Sequence, residues 1–320
     1  MNELHDRMSG CIAGLMSGDA IGAQVEFKSV AYIHHYFTNC RTRKKELFMR
    51  SGGIFNLEAG QVTDDSEMAL SLIASFTHKG YNQYMAYLSY RNWIVDTKPF
   101  DCGKTIWNAL VNNKSDESSE ANGALMRIAP LAMYYWNNEE SLVLHAHEDC
   151  VITHPNKICV DCNILYCLGI AKLIQGMNPV EMYDYVLEYA TTHDIEETVL
   201  NLLVTAKNQA PFDFIRNQGW VRIAFQNAFY QILHSTSVYE VIYRTVMNGG
   251  DTDTNAAISG AMAGAYYGMS SMPETWIRTL KKCKPSQKNE CVNQPRPEFL
   301  WNREGFKFAD SLSEPCEFDQ

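Results

Sequence analysis

Two acidic turns are the strongest candidates for chemistry in this sequence. One reads GQVTDDSE over residues 60–67, and the other reads NGGDTDTN over residues 248–255. Each leads into a predicted helix and offers two aspartates beside a threonine, whereas capping a helix needs one side chain. If the turns meet, each pair of carboxylates about 5 Å apart costs about 3 kcal/mol at an effective dielectric near 20. A bound divalent cation would relieve that repulsion.

The side chains that these turns offer as ligands all carry oxygen. Carboxylate and hydroxyl oxygens favour Mg²⁺ or Mn²⁺ over Zn²⁺, and we expect two such ions here. Helix capping is the alternative reading of each turn taken singly. A calcium loop starting at Asp251 is excluded because Ala256 and Met262 occupy the positions of its glycine and glutamate. The predicted ligands are Thr63, Asp64, Asp65, Asp251, Asp253 and Thr254.

The segments that must position these turns have helical periodicity. Apolar residues recur every three to four positions, sustained alternation of the kind seen in strands is absent, and Gly, Asn and Pro separate helix-length segments. We therefore predict an all-α protein with a single compact domain over residues 1–320, in which residues 284–320 form a loop-rich C-terminal extension. The clearest helical patterns cover residues 68–76, 163–174, 182–189, 224–233 and 256–267.

Glycines recur every four residues in two of the predicted helices. Residues 10, 14, 18 and 22 form one stripe, and residues 260, 264 and 268 form another. Each glycine costs a helix about 1 kcal/mol relative to alanine, so a compensating interaction is needed. The spacing predicts two helices that pack closely in the core and bring side chains to a shared site.

Composition excludes several classes of protein. The chain has 320 residues, 46% of them hydrophobic, and a net charge of −10, which argues against general nucleic-acid binding. Its longest apolar or small-residue run, residues 256–269, is too short to span a membrane. The N-terminus does not resemble a secretory signal, so we expect an intracellular protein with ten reduced, mostly buried cysteines. The basic run over residues 41–45 is interpreted as a solvated loop.

Other catalytic motifs are missing or weak. No phosphate-binding loop, dinucleotide fingerprint or nucleophile elbow occurs, which removes support for a kinase, a dehydrogenase or a serine hydrolase. The histidines and cysteines between residues 145 and 162 have the spacing of no standard zinc finger.

Six short segments of the sequence, in order, form a recognisable set of motifs. They are residues 10–14 with 18–27, residues 61–65, residues 99–103, residues 122–127, residues 153–154 and residues 249–254. This set resembles the motifs of the ADP-ribosylglycohydrolase family, and the resemblance covers most of residues 8–270. Two positions depart from the family pattern: Ala121 precedes the Asn-Gly pair, and Ser66 follows the two aspartates.

The resemblance implies an all-helical fold around two Mg²⁺ or Mn²⁺ ions, held by the six ligands above, and hydrolysis of the bond between ADP-ribose and an acceptor. The catalytic carboxylates would be Glu26, Asp65 and Asp101, with Glu26 beside the metals and Asp101 as a candidate base. The substrate-binding residues would be Ser118, Ser119, Asn122, Gly123 and His154.

For some single residues, a purely structural role remains an alternative to a role in catalysis or binding. His154 could cap the following helix, Asp101 could be a turn residue, and Glu26 could be a solvated helix end; for Asp19 we favour a structural role.

Residues 18–27 and 122–127 look closest to the branch that acts on ADP-ribosylarginine, so we expect that activity from a monomer acting on ADP-ribosylated proteins. The alternatives are hydrolysis of serine-linked or other conjugates, and a catalytically silent ADP-ribose-binding homologue.

Overall fold

The computed structural model of the protein describes residues 2–38, 46–77 and 79–313. Over these ranges it contains fifteen α-helices, two short 3-10 helices at Met269–Ser271 and Glu298–Leu300, and no β-strand. The all-α prediction is confirmed, whereas the basic run at 41–45 lies outside the described residues. The helices are α1 Glu3–Gly22, α2 Val30–Tyr36, α3 Asp64–Ser75, α4 Gln83–Asp96, α5 Lys104–Leu110, α6 Ala129–Tyr134, α7 Glu139–Cys150, α8 Lys157–Gln175, α9 Pro179–Thr192, α10 Glu197–Ala206, α11 Val221–His234, α12 Val238–Met247, α13 Thr252–Tyr267, α14 Glu274–Lys282 and α15 Asn302–Ser313.

Helices α1 and α13 form the most extensive contact in the protein, through their glycine stripes. A Cβ atom added to Gly14 would lie 2.0 Å from the carbonyl oxygen of Gly260, and one added to Gly10 would lie 2.2 Å from that of Gly264. At Gly22 the added atom would lie 2.4 Å from the Cα of Asp253. The predicted close packing is confirmed, and it sets the end of α1 against the start of α13.

The remaining helices surround this pair. Helices α8, α11 and α12 pack on α13, α15 packs on α1, and α4 packs on α3. By length and composition α8 could cross a membrane, but 83% of that stretch is buried in the protein, and a core helix passes the same test. All eight cysteines within the described ranges are free, and six of them are buried, as expected.

The C-terminal extension consists of a loop followed by a helix. Residues 284–297 contain no helix, but residues 302–313 form α15, which packs on α1. The preceding loop contributes Arg296, which is 5% exposed and donates to both carboxylate oxygens of Glu67 on α3 at 2.6 and 2.7 Å. Glu67 also accepts from the Trp93 indole at 2.8 Å. The extension therefore stabilises the helix that begins with Asp64 and Asp65.

Candidate active site

The two acidic turns meet at one cavity of about 560 Å³. This volume is typical of a pocket for a small molecule. Asp64 comes from the first turn, and Asp251, Asp253 and Thr254 come from the second. Glu26 and Asp101 line the same cavity, as do all five residues predicted to bind substrate. Thr63 and Asp65 are fully buried behind this wall.

The aspartates at the start of α3 are not needed to cap the helix, because a residue of another helix does so. Thr63, at the N-cap position, makes no side-chain capping bond. Instead the carboxylate of Asp19 on α1 accepts hydrogen bonds from the backbone N–H groups of Thr63 and Ser66, and from the hydroxyls of both, at 2.6–3.1 Å. These bonds satisfy the donors that a helix start exposes. The structural role expected for Asp19 fits this geometry, and capping does not account for Asp64 and Asp65.

The start of α13 depends on two glycines and a loop contact. Gly249 and Gly250 have φ of 76° and 75°, a conformation that glycine adopts readily. A Cβ at Gly250 would lie 1.9 Å from the carbonyl oxygen of Phe214. The next residue, Asp251, makes no side-chain capping bond, and its Oδ2 accepts from the Asn122 amide at 2.7 Å. The turn thus holds its carboxylates at the cavity wall instead of capping the helix.

Glu26, Asp101 and Asp253 form a compact acidic group. Each offers one carboxylate oxygen, and these three oxygens lie within 4.8 Å of one another. Burial, with the negative charges of Asp101 and Asp251, raises the pKa of Glu26 to about 9. Burial, followed by the charge of Asp251, raises the pKa of Asp101 to about 6. Glu26 is only 7% exposed, so it is not a solvated helix end.

The two helix starts also contact each other directly. Burial, followed by the negative charges of neighbouring carboxylates from both starts, raises the pKa of Asp64, Asp65 and Asp253 well above the usual range. Asp65 Oδ1 and Glu26 Oε2 are buried and have no hydrogen-bond partner among the described residues. Buried carboxylate oxygens without donors, surrounded by other carboxylates, are suited to a hard divalent cation.

The loop at residues 118–123 forms the opposite wall of the cavity. The Asn122 N–H donates to the Gly219 carbonyl at 2.9 Å, and the Val221 N–H donates to the Glu120 carbonyl at 2.8 Å. The Ser119 hydroxyl lies 2.8 Å from that of Thr105, which is half-buried at the same wall. The loop is therefore fixed in place with its serine hydroxyls beside the cavity.

Gly123 and His154 lie next to each other deeper in the cavity. A Cβ at Gly123 would approach the His154 ring to 3.2 Å and Ile106 to 2.8 Å, so glycine is needed for the ring to reach the cavity. His154 does not cap the next helix, because Asn156 caps α8 through its own side chain. Burial, then the charge of Arg127, lowers the pKa of His154 to about 3, which keeps the ring neutral.

Several residues of the cavity were not singled out by the sequence. Phe27, with φ of 55°, and Trp220 stand partly exposed at its edge, and Thr105 contacts Ser119. Lys104 carries the one positive side chain among the described residues that line the cavity. Single surface aromatics and lysines have no distinguishing local pattern, and we find no signal in the sequence that selects them.

The fold and the cavity define an all-helical protein with a carboxylate-lined cavity. The family model for ADP-ribosylglycohydrolase matches residues 1–304, so the chain belongs to the ADP-ribosylglycohydrolase family and the resemblance seen in the sequence is confirmed. Two relatives of this chain are named as enzymes that hydrolyse ADP-ribosyl groups.

Those two relatives are bacterial proteins. ADP-ribosylarginine hydrolase Tri1 of Pseudomonas putida is 27% identical over 299 residues, which cover 88% of this chain and 76% of that protein. ADP-ribosyl-[dinitrogen reductase] glycohydrolase of Rhodospirillum rubrum is 26% identical over 287 residues, which cover 87% of this chain and 91% of that protein.

A solved structure supports the fold. It is described as an ADP-ribosylglycohydrolase-related protein complex, and it matches with a TM-score of 0.74 over 98% of both chains at 24% identity. At this identity the likeness concerns the arrangement of helices.

Proposed function

We propose that this protein hydrolyses the bond between ADP-ribose and a modified arginine, with two Mg²⁺ or Mn²⁺ ions as cofactors. The metal ligands are Thr63, Asp64, Asp65, Asp251, Asp253 and Thr254. One observation carries the proposal: two acidic helix starts, far apart in sequence and not needed as caps, lie together at a cavity of substrate size.

The donor set supports divalent cations. Carboxylate repulsion in the cavity wall is strong. Glu120 pairs with Arg222, and the one lysine lining the described wall cannot balance the other five acidic side chains, Glu26, Asp64, Asp101, Asp251 and Asp253. When bound, hard cations supply positive charge that attracts the anionic diphosphate and polarises the ribose hydroxyls and a water molecule.

The chain's own groups account for binding and proton transfer. Hydrolysis at the anomeric carbon passes through an oxocarbenium-like state and needs groups that hold and move protons. Glu26, Asp65 and Asp101 are the carboxyls assigned to catalysis. The pKa of Glu26, raised to about 9, suits a group that keeps a proton at neutral pH, whereas the pKa of Asp101, about 6, leaves that carboxyl mostly ionised there, as a base must be. The residues assigned to binding ADP-ribose are Ser118, Ser119, Asn122, Gly123 and His154.

Arginine is the preferred acceptor for two reasons. The amino-acid sequences of residues 18–27 and 122–127 are closest to the branch of the family that acts on ADP-ribosylarginine. The Pseudomonas putida relative is also named for ADP-ribosylarginine. A guanidine is strongly basic and departs protonated, whereas a serine alkoxide needs a proton from a neighbouring acid.

Release of free ADP-ribose from arginine-modified and serine-modified protein tests the proposal. We expect the purified chain with Mg²⁺ to release ADP-ribose from the arginine conjugate, and we expect a chelator or Asp253→Asn to abolish release. Asp310→Asn, on α15, is a matched control that removes a carboxylate from a helix remote from the cavity.

The outcomes separate the candidate functions. Release from serine conjugates alone would replace the arginine assignment. ADP-ribose binding by calorimetry without turnover of any conjugate would identify a binding protein. Turnover that survives both the chelator and Asp253→Asn would contradict the metal-dependent mechanism.

A further inference from the structure

A buried hydrogen-bond chain leads from a salt bridge to the cavity through His154. Arg127 is fully buried and donates from Nε to Asp149 Oδ1 at 3.0 Å. Its Nη1 donates to the Thr153 hydroxyl at 2.8 Å, and that hydroxyl lies 2.7 Å from Nδ1 of His154. The other ring nitrogen, Nε2, is buried at the cavity and has no partner among the described residues.

One arrangement of hydrogens satisfies every link of this chain from Arg127 to Nδ1 of His154. Arginine only donates, so the Thr153 oxygen accepts from Arg127. The single hydroxyl hydrogen of Thr153 then has Nδ1 of His154 as its acceptor at 2.7 Å. If Nδ1 carried the proton instead, the hydroxyl would accept twice and its own hydrogen would have no acceptor among the described contacts. A neutral imidazole with Nδ1 accepting carries its proton on Nε2.

We propose that Arg127 and Thr153 are positioning residues that fix His154 as the Nε2–H tautomer, so that its ring donates a hydrogen bond to an acceptor oxygen of the ligand in the cavity. A buried donor without a partner is costly, and a phosphate or ribose oxygen of ADP-ribose would satisfy it. The identity of that ligand rests on the proposed function, whereas the tautomer follows from the protein alone.

The salt bridge between Arg127 and Asp149 explains why this hydrogen-bond chain is rigid. Asp149 accepts from Arg127 Nε and, through Oδ2, from the Tyr90 hydroxyl at 2.7 Å, and its backbone carbonyl accepts from Arg127 Nη2 at 2.9 Å. Tyr90 also lies under the guanidinium, 4.3 Å from the ring centroid to Cζ. The guanidinium therefore presents Nη1 to Thr153 in one direction.

Nitrogen NMR of the ¹⁵N-histidine-labelled full chain reads the tautomer directly. With His154→Gln used to assign the signal, we expect a protonated, pyrrole-type Nε2 and an unprotonated, pyridine-type Nδ1 in the ligand-free wild type. Thr153→Val keeps the side-chain shape but removes the hydroxyl, so we expect a mixture of tautomers. Thr153→Ser keeps the hydroxyl and restores the wild-type spectrum.

Calorimetry with ADP-ribose and Mg²⁺ provides the second measurement. We expect Thr153→Val to raise the Kd by about 3- to 10-fold, the value of one hydrogen bond, and Thr153→Ser to bind as the wild type does. A protonated Nδ1 in the wild type would overturn the inference even if Thr153→Val fails to fold. An unchanged tautomer and Kd in folded Thr153→Val would overturn it as well.

The two proposals fail in different ways. If the wild type does not bind ADP-ribose, the proposed function and the ligand assigned to His154 are both wrong. The spectrum of the ligand-free protein still decides whether Arg127 and Thr153 set the tautomer.

Discussion

Replacing Gly18 with alanine tests whether the glycine contact between α1 and α13 positions the acidic site. The added Cβ would lie 2.0 Å from the Ala256 carbonyl oxygen, while ordinary contact begins at 3.4 Å, so the helices must separate by about 1.4 Å. Ala256 is one turn after Asp253, so the shift moves a proposed metal ligand relative to Glu26 and Asp65. A misplacement of about 1 Å can reduce a rate by about 100-fold.

The stability cost of Gly18→Ala is smaller than its expected effect on activity. Overpacking a core costs about 1–3 kcal/mol, and the contact with backbone favours the upper end. Alanine returns about 1 kcal/mol of helix stability. We therefore expect a net loss of about 1–2 kcal/mol in the free energy of unfolding, measured with urea, alongside about a 100-fold loss of kcat/KM for ADP-ribose release.

Two matched variants separate a displaced active site from a general loss of core packing as the cause of lost activity. Gly10→Ala makes a similar clash, 2.2 Å from the Gly264 oxygen, but about 12 Å further along α1, so it should reduce stability more than activity. In Gly169→Ala on α8 the added atom meets the flexible ends of Met182 and Met262 at 3.3 Å, so stability should stay within about 1 kcal/mol. Wild-type activity in Gly18→Ala, or equal losses at Gly10 and Gly18, would refute the reasoning.

Three further predictions follow from buried charges. Arg296→Met should lower the free energy of unfolding by about 3–5 kcal/mol because Glu67 is left charged and unpaired, and adding Glu67→Met should recover most of that loss in urea unfolding. Asp19→Asn should cost about 2–3 kcal/mol, since an amide cannot accept all four bonds that the carboxylate accepts; a loss under about 0.5 kcal/mol would contradict this. A carboxyl whose pKa rises on folding stabilises the folded protein fully at pH values below its unfolded pKa, and this contribution is lost as the pH rises through its folded pKa. For Glu26 the unfolded pKa is about 4.3 and the folded pKa is about 9. The melting temperature of the metal-free protein should therefore fall between about pH 5 and 9, and Mg²⁺ should raise it most at the alkaline end; a flat profile would count against this.

Local patterns in the sequence predict the features that position the site. Glycines at four-residue spacing predict the contact between α1 and α13, since only a bare backbone allows such an approach. Surplus aspartates at two helix starts predict their convergence, since one side chain is enough to cap a helix. Both features lie within short stretches of sequence, so they are visible without a structure.

Features that depend on distant contacts are not visible in the same way. Arg296 and Glu67 are 229 positions apart, and nothing in the local sequence links the C-terminal loop to α3. The three prolines of residues 284–298 predict a loop, but they give no signal for α15, whose packing partner α1 lies near the other end of the sequence. The proton position on His154 likewise depends on Arg127, which lies 27 positions earlier in the sequence. The two residues are linked by hydrogen bonds through the Thr153 hydroxyl.

Anomalous diffraction from crystals grown with Mn²⁺ tests the central claim most directly. The account predicts two anomalous peaks between the start of α3 and the start of α13, each within coordination distance of oxygens from Asp64 or Asp65 and from Asp251 or Asp253. Crystals of Asp253→Asn should lose at least one peak. Well-ordered wild-type crystals with the two helix starts together and no anomalous peak between them would contradict the account.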